Sequence, residues 1–153
     1  MIVRPLTAQD IPLVSAWIVT IPLWKRYGLT VEKLSGQLAT ALDNDLLLTV
    51  DTEESAVGLA WCLPRGGFGR SAYLKMLGVR PDQSGRGLGA ILLDHLETLV
   101  TSNELFLLAS DFNSDAHRFY QRQGYQQIGA IPDFVLTGVT EMIFYKKIRP
   151  VSR

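Results

Sequence analysis

Cysteine is nearly absent. Of 153 residues only Cys62 carries a thiol, so no intrachain disulfide can form. A reducing, cytosolic setting fits that count. Cys62 lies in the apolar run 57–63, where a thiol reads as a small buried hydrophobe rather than a nucleophile. No run of 18 apolar residues exists, so no membrane-spanning helix is expected. Residues 1–5 lack the long apolar core of a signal peptide and read as a first strand. Neither sign of charge prevails: 15 Lys and Arg balance 15 Asp and Glu. That balance argues against a nucleic-acid partner, which requires a basic face. No metal site is expected. The only two histidines, His95 and His117, fall on helices and read as surface residues.

What is present suits one globular domain spanning 1–153, with 47% hydrophobic and 20% charged residues. No internal repeat, low-complexity run or linker interrupts it. Residues 1–6 read as a strand. Thr7, with Asp10 three residues on, reads as the cap of a helix running to about Val19. Residues 21–28 read as a loop or short turn. Thr30 caps a helix over 31–42, with Leu34, Leu38 and Leu42 on its apolar edge. Strands at 46–50, 56–63 and 71–79 predict an antiparallel meander, with a glycine-rich hairpin loop at 64–69. A helix over 90–100 then leads to an apolar strand at 105–110. A helical crossover makes 71–79 and 105–110 parallel neighbours. Asn113 or Ser114 caps the next helix, Gly124 ends it, and strands at 125–130 and 139–148 complete the chain. The tail to Arg153 is expected to fray.

The stretch 76–97 organises the rest. An apolar strand leads into a loop with Gly85, Gly87 and Gly89 at alternate positions, and a helix follows. The first N–H groups of a helix lack intrahelical acceptors, and its dipole adds positive charge there. Glycines let the backbone approach a phosphate without Cβ atoms in the way. Arg86 adds a full charge and a planar fork of donors. Residues 84–90 therefore read as a pyrophosphate cradle. A Walker A loop is excluded, because Gly89 is followed by Ala90 and Ile91 instead of Lys and Ser or Thr. The dinucleotide fingerprint is matched literally by residues 85–90. However, residues 80–84 separate it from the strand, and little chain remains for a second nucleotide-binding half.

Coenzyme A is the third reading, and here a resemblance enters. Val79-x-Pro81-x-x-x-Gly85-Arg86-Gly87-x-Gly89, followed by Leu92-Leu93, resembles the acetyl-CoA-binding motif of the GNAT (Gcn5-related N-acetyltransferase) superfamily. Further on, Asn113-x-x-Ala116-x-x-Phe119-Tyr120-x-x-x-Gly124-Tyr125 resembles that family's second conserved block. The resemblance implies an α/β fold of GNAT type. Its mixed central sheet would have about six to seven strands flanked by about four helices. One departure is Ser84, where the family pattern places Gln or Arg.

The resemblance also assigns roles. Acetyl-CoA is the implied co-substrate, with no metal. Leu77, Gly78 and Val79 pair with pantetheine, and residues Gly85, Arg86, Gly87, Leu88, Gly89 and Ala90 hold the diphosphate. Asn113 hydrogen-bonds the pantetheine arm, and Tyr120 protonates the leaving thiolate. The implied reaction is transfer of acetyl to a primary amine, on a small molecule or a peptide, in the cytoplasm. The resemblance admits a homodimer. The alternative is a GNAT-fold module that holds CoA without catalysis. No carboxylate stands on the strand before the loop, so Asp111, Asp133, Glu141 or a water chain are the candidates for a base. Trp24, Tyr27, Trp61 and Phe134 suggest a partly apolar acceptor pocket, while Asp133 and Glu141 suit a cationic amine.

Overall fold

The computed structural model describes residues 1–149; the tail expected to fray, 150–153, lies outside the described residues. Its strands are β1 (Ile2–Pro5), β2 (Leu46–Asp51), β3 (Gly58–Gly67), β4 (Ser71–Val79), β5 (Glu104–Ser110), β6 (Gln126–Pro132) and β7 (Thr140–Lys147). The helices are α1 (Ile11–Ile18), α2 (Pro22–Arg26), α3 (Val31–Ala41), α4 (Leu88–Leu99) and α5 (Ser114–Arg122). The strands form one mixed sheet in the order β1-β2-β3-β4-β5-β7-β6. The mixed sheet agrees with expectation. The helix beyond the expected four is α2, in the stretch read as a loop or short turn. Pro22 opens it, where a missing N–H costs nothing, and the N–H groups of Trp24 and Lys25 bond back to Ile21 O at 3.0 and 3.1 Å. A five-residue helix is too short to show a period in sequence.

The chain divides into two compact units, Met1–Leu63 with Met76–Leu99, and Pro64–Lys75 with Val100 onward. In the first, α1 and α3 close one face of the strands. Val14, Trp17 and Ile18 of α1 meet Leu34 and Leu38 of α3, with Leu47, Leu59 and Trp61 beneath them. Helix α4 covers strand residues on the opposite face, burying Leu88, Leu92, Leu93 and Leu96. Gly58 marks how closely it approaches: a Cβ there would lie 2.6 Å from Leu92 Cδ1 and 2.7 Å from Val50 Cγ1. Cys62 is buried, as its apolar run implied.

In the second unit, β5 pairs with β7 from Glu104↔Lys147 to Ser110↔Glu141, antiparallel. Strand β6 adds outside β7 with a bulge between Gln127 and Gly129. The parallel pairing of β4 with β5 is registered over Ala72↔Leu105, Tyr73↔Phe106 and Leu74↔Leu107. Leu105, Leu107 and Phe144 are fully buried or nearly so. The stretch expected as a hairpin loop is mostly strand: β3 runs on to Gly67. Its pairing with β2 reaches only Leu46↔Cys62, so Pro64 falls beyond the ladder that would have needed its N–H. The connection shrinks to Phe68, Gly69 and Arg70: Phe68 and Gly69 are left-handed at φ 60° and 70°, and Arg70 N–H donates to Gly67 O at 3.1 Å. Phe68 keeps this conformation with its ring edge-on to Phe106 at 5.8 Å.

The start of the chain is held by one guanidinium. Arg4 donates to both carboxylate oxygens of Asp10 at 2.8 Å and to Asp51 at 2.6 and 3.1 Å, joining β1, the entry to α1 and the end of β2. The capping residues keep their expected places, with Thr7 donating from its N–H and hydroxyl to Asp10 at 2.8 and 2.9 Å. The Arg4 hydrogen bond holds the Asp10 carboxyl at about 2, below its ordinary 3.8. Asp51 is lowered for the same reason. A depressed carboxyl pKa contributes stability above the unfolded-state value, and that stability is lost as pH falls through the folded-state value. Unfolding free energy from urea titrations should therefore drop between about pH 5 and pH 2. Asp10→Asn should remove about 1–2 kcal/mol of that pH-dependent part while leaving the protein folded at neutral pH.

Candidate active site

The loop after β4 belongs to the first unit. Arg80 N–H donates to Val57 O at 2.8 Å, and a 3-10 turn over Pro81–Gln83 follows. The Arg80 guanidinium pairs with Asp82 at 2.6 Å and with Glu54 at 3.4 Å, and this lowers the Asp82 carboxyl. Gly85 and Gly87 take φ of 79° and 77°. Nothing lies within 4 Å of a Cβ built at either, so the left-handed backbone and not crowding demands glycine there. Helix α4 starts at Leu88, two residues before the expected start, and its first bond runs from Ile91 N–H to Gly87 O at 3.1 Å. The N–H groups of Leu88, Gly89 and Ala90 thus form the first turn, with the positive end of the dipole. The Leu88 side chain, 3% exposed, pins that turn to the core.

The side chains of the loop are engaged locally. Ser84 donates to Pro81 O at 2.7 Å, so its hydroxyl closes the 3-10 turn. Arg86 folds back and donates to Gln83 Oε1 at 2.6 Å. Upstream, Leu77, Gly78 and Val79 are half-buried on β4. A Cβ at Gly78 would stand 3.7 Å from Trp17 Cζ3, so α1 lies close over this stretch of backbone. Trp17 is itself fixed by donation to Ala56 O at 3.0 Å.

The second unit holds the other sequence candidates. Asn113 is the N-cap of α5: its Oδ1 accepts from Ala116 N–H at 3.2 Å, and its N–H donates to Ser110 O at 3.0 Å. Tyr120 is 9% exposed and ringed by Phe119, Tyr125 and Phe144 at centroid distances of 5.1, 5.7 and 6.3 Å. Burial, reinforced by neighbouring Tyr73, raises its hydroxyl pKa well above the usual tyrosine value. Tyr73 is raised in turn by burial and by the charge of Glu141. Tyr73 was not among the sequence candidates. The available signal was its place on the strand before the loop, but only tertiary pairing brings Glu141 near it.

Glu141 is buried, 5% exposed, whereas Asp111 and Asp133 are exposed. Those two serve the backbone: Asp111 accepts from Thr140 N–H at 3.3 Å and Asp133 from Gly138 N–H at 2.6 Å. His95 is exposed, as expected, but His117 is not a plain surface residue. Its Nε2 lies 2.9 Å from Ser110 O, and its ring packs 5.4 Å from that of Phe144. Trp61 lies in the core of the first unit and donates to Asp45 at 2.9 Å. Trp24 packs against that core with Tyr27 6.3 Å away, and Phe134 is 57% exposed. Among the described residues no group of three or more His, Cys, Asp or Glu is placed to hold a metal.

Comparison with known proteins gives one family. The model of the acetyltransferase (GNAT) family matches residues 17–125. Among solved structures, an aminoglycoside 6'-N-acetyltransferase complexed with coenzyme A superposes with a TM-score of 0.83 at 14% identity, covering 100% of both chains. The ribosomal-protein-alanine N-acetyltransferase from Brucella melitensis gives 0.79 at 20% identity, covering 96% of this chain and 99% of that one. An acetyltransferase from Thermus thermophilus gives 0.76 at 22%, covering 95% and 96%. Similarity at this level shows a shared fold.

The backbone of the loop makes a direct prediction. Gly87→Ala places a Cβ in the left-handed region and should lower unfolding free energy by about 1–2 kcal/mol, measured by urea denaturation.

Proposed function

Because the chain belongs to the acetyltransferase (GNAT) family, we propose that its residues 1–153 act as one domain transferring acetyl from acetyl-CoA to a primary amine by direct attack. The observation that carries this reading is the loop from Gly85 to Ala90. Two left-handed glycines lead into the N-terminus of α4, and Arg86 stands beside it. Such a turn offers backbone donors and positive potential to a diphosphate. In this reading the backbone of Leu77, Gly78 and Val79 pairs with pantetheine. Asn113 donates from its side-chain amide to the same arm while its oxygen caps α5.

The amine nitrogen attacks the thioester carbon, the C–N bond forms and the C–S bond breaks. Tyr120 gives its proton to the departing thiolate and regains one from the nitrogen. Its raised pKa keeps it protonated through the neutral range, so the proton is present when sulfur departs. A neighbour of this fold is named for aminoglycosides and another for a ribosomal-protein alanine, so the fold alone does not select the acceptor. A small molecule or a peptide amine fits, and the single cysteine fits a cytoplasmic setting. The Ser84 hydroxyl, turned into its own 3-10 turn, favours a second reading in which the chain holds CoA without turnover.

Thermal unfolding with acetyl-CoA, NAD or ATP tests the first step. Acetyl-CoA at 100 times its dissociation constant should add about 2.7 kcal/mol to stability, and NAD and ATP should add none. No stabilisation by acetyl-CoA defeats the assignment. Tyr120→Phe then separates enzyme from holder. Thiol release should fall by about a hundredfold or more with acetyl-CoA stabilisation unchanged. An unchanged rate would remove Tyr120 from the chemistry.

A further inference from the structure

Arg4, Arg80 and Arg86 all lie in the first unit, but they are held differently. Arg4 is paired with Asp10 and Asp51, and Arg80 with Glu54 and Asp82, so each of those charges is answered within the protein. Arg86 is exposed and makes no ion pair among the described residues. Its bond is to a neutral group: Nη1 donates to Gln83 Oε1 at 2.6 Å. An amide oxygen orients a guanidinium without cancelling its charge, whereas a carboxylate would do both.

Gln83 is itself held in place. It ends the 3-10 turn Pro81–Gln83 and is only 9% exposed, although glutamine is mostly a surface residue. Its N–H donates to Arg80 O at 2.8 Å, and Arg80 N–H donates in turn to Val57 O at 2.8 Å. Pro81 fixes φ at the start of the turn, and the Ser84 hydroxyl closes it on Pro81 O at 2.7 Å. Arg86, by contrast, stands between Gly85 and Gly87, where the backbone has the most freedom. The place of its guanidinium therefore depends on the Gln83 side chain more than on its own backbone. An unrestrained arginine loses rotamer freedom when it grips a ligand, and one already held loses less.

Resting on the acetyl-transfer reading, we propose that Gln83 is a positioning residue: its amide presets the Arg86 guanidinium, with the charge intact, for the diphosphate of acetyl-CoA. Arg86 touches the ligand, and Gln83 acts through it. The N–H groups outside the Gln83 bond serve the diphosphate oxygens, as the planar fork allows. This is not the role of the motif residue, because the place of the family's Gln or Arg is taken by Ser84, whose hydroxyl is turned into its own turn.

The test is calorimetric titration with acetyl-CoA and with S-acetylpantetheine, which carries the same thioester and no diphosphate. Gln83→Met removes the amide at nearly the same length and should weaken acetyl-CoA binding about three- to tenfold. Arg86→Gln should weaken it about tenfold or more. In the Arg86→Gln background Gln83→Met should change affinity by less than about twofold, because the group it positions is gone. Neither substitution should alter binding of S-acetylpantetheine. A merely structural Gln83 would give the same loss in both backgrounds and would weaken S-acetylpantetheine as well, and either result overturns the proposal. Gln83→Glu keeps the shape and turns the bond into an ion pair, so acetyl-CoA affinity should fall about tenfold or more; unchanged or tighter binding overturns the proposal. If Arg86→Gln binds acetyl-CoA as the unsubstituted protein does, the proposal fails while the acetyl-CoA site stands. If the unsubstituted protein binds no acetyl-CoA, the transfer reading itself fails. Should Gln83→Met not fold, Gln83→Asn draws the amide back by one methylene and carries the same expectation.

Discussion

Parallel pairing constrains this chain more than any other interaction. Two strands that run in the same direction cannot be joined by a tight turn, so the chain must cross back before β5 can register on β4. The crossover is α4, and the loop glycines Gly85 and Gly87 sit just before its first turn. A helix that begins right after a strand brings its unpaired N–H groups to the strand's C-terminal end. The unpaired N–H groups at the start of α4 are therefore a consequence of topology before they are a matter of side chains. Leu88 shows the coupling at one residue: its side chain is in the core and its N–H belongs to the first turn.

Around that crossover, charged side chains hold loops rather than fill space. Arg4 gathers Asp10 and Asp51 where β1, α1 and β2 meet, and Arg80 gathers Glu54 and Asp82 beside the glycine loop. Asp111 and Asp133 fix the backbone on either side of β7's start. Each of these carboxylates makes its bonds at an element boundary, where backbone groups run out of ladder partners. Glu141 departs from the pattern, since it lies inside a strand and inside the fold.

Family membership and the structural neighbours account for the acetyltransferase fold, and they leave the acceptor open. One architecture serves a neighbour named for an aminoglycoside and another named for a protein alanine, so selectivity must reside in residues that the shared fold does not specify.

Local signals carried far. Thr30 caps α3 as its hydroxyl and spacing foretold, β4 occupies its expected span, and Asn113 caps α5. These are short-range effects: a side-chain oxygen reaching an N–H three residues on, or an apolar run long enough to be a buried strand. The loop glycines were equally readable, because a left-handed backbone leaves its mark in residue type. Helix α2 was not, since five residues hold no period, and the extension of β3 through Pro64 depended on where β2 happens to end. Trp61 and His117 could not be placed from sequence either. Trp61 finds Asp45 sixteen residues away, and His117 folds back onto Ser110 and packs against Phe144. The same holds for Tyr73 and Glu141, which lie 68 positions apart in the chain and share a face only because β4, β5 and β7 pair in their particular register. Residue type and spacing settled the elements, the glycine loop and the family resemblance, because those are written in neighbours along the chain. Which carboxylate is buried, and beside what, was decided by strand register, because pairing between distant segments leaves no local trace.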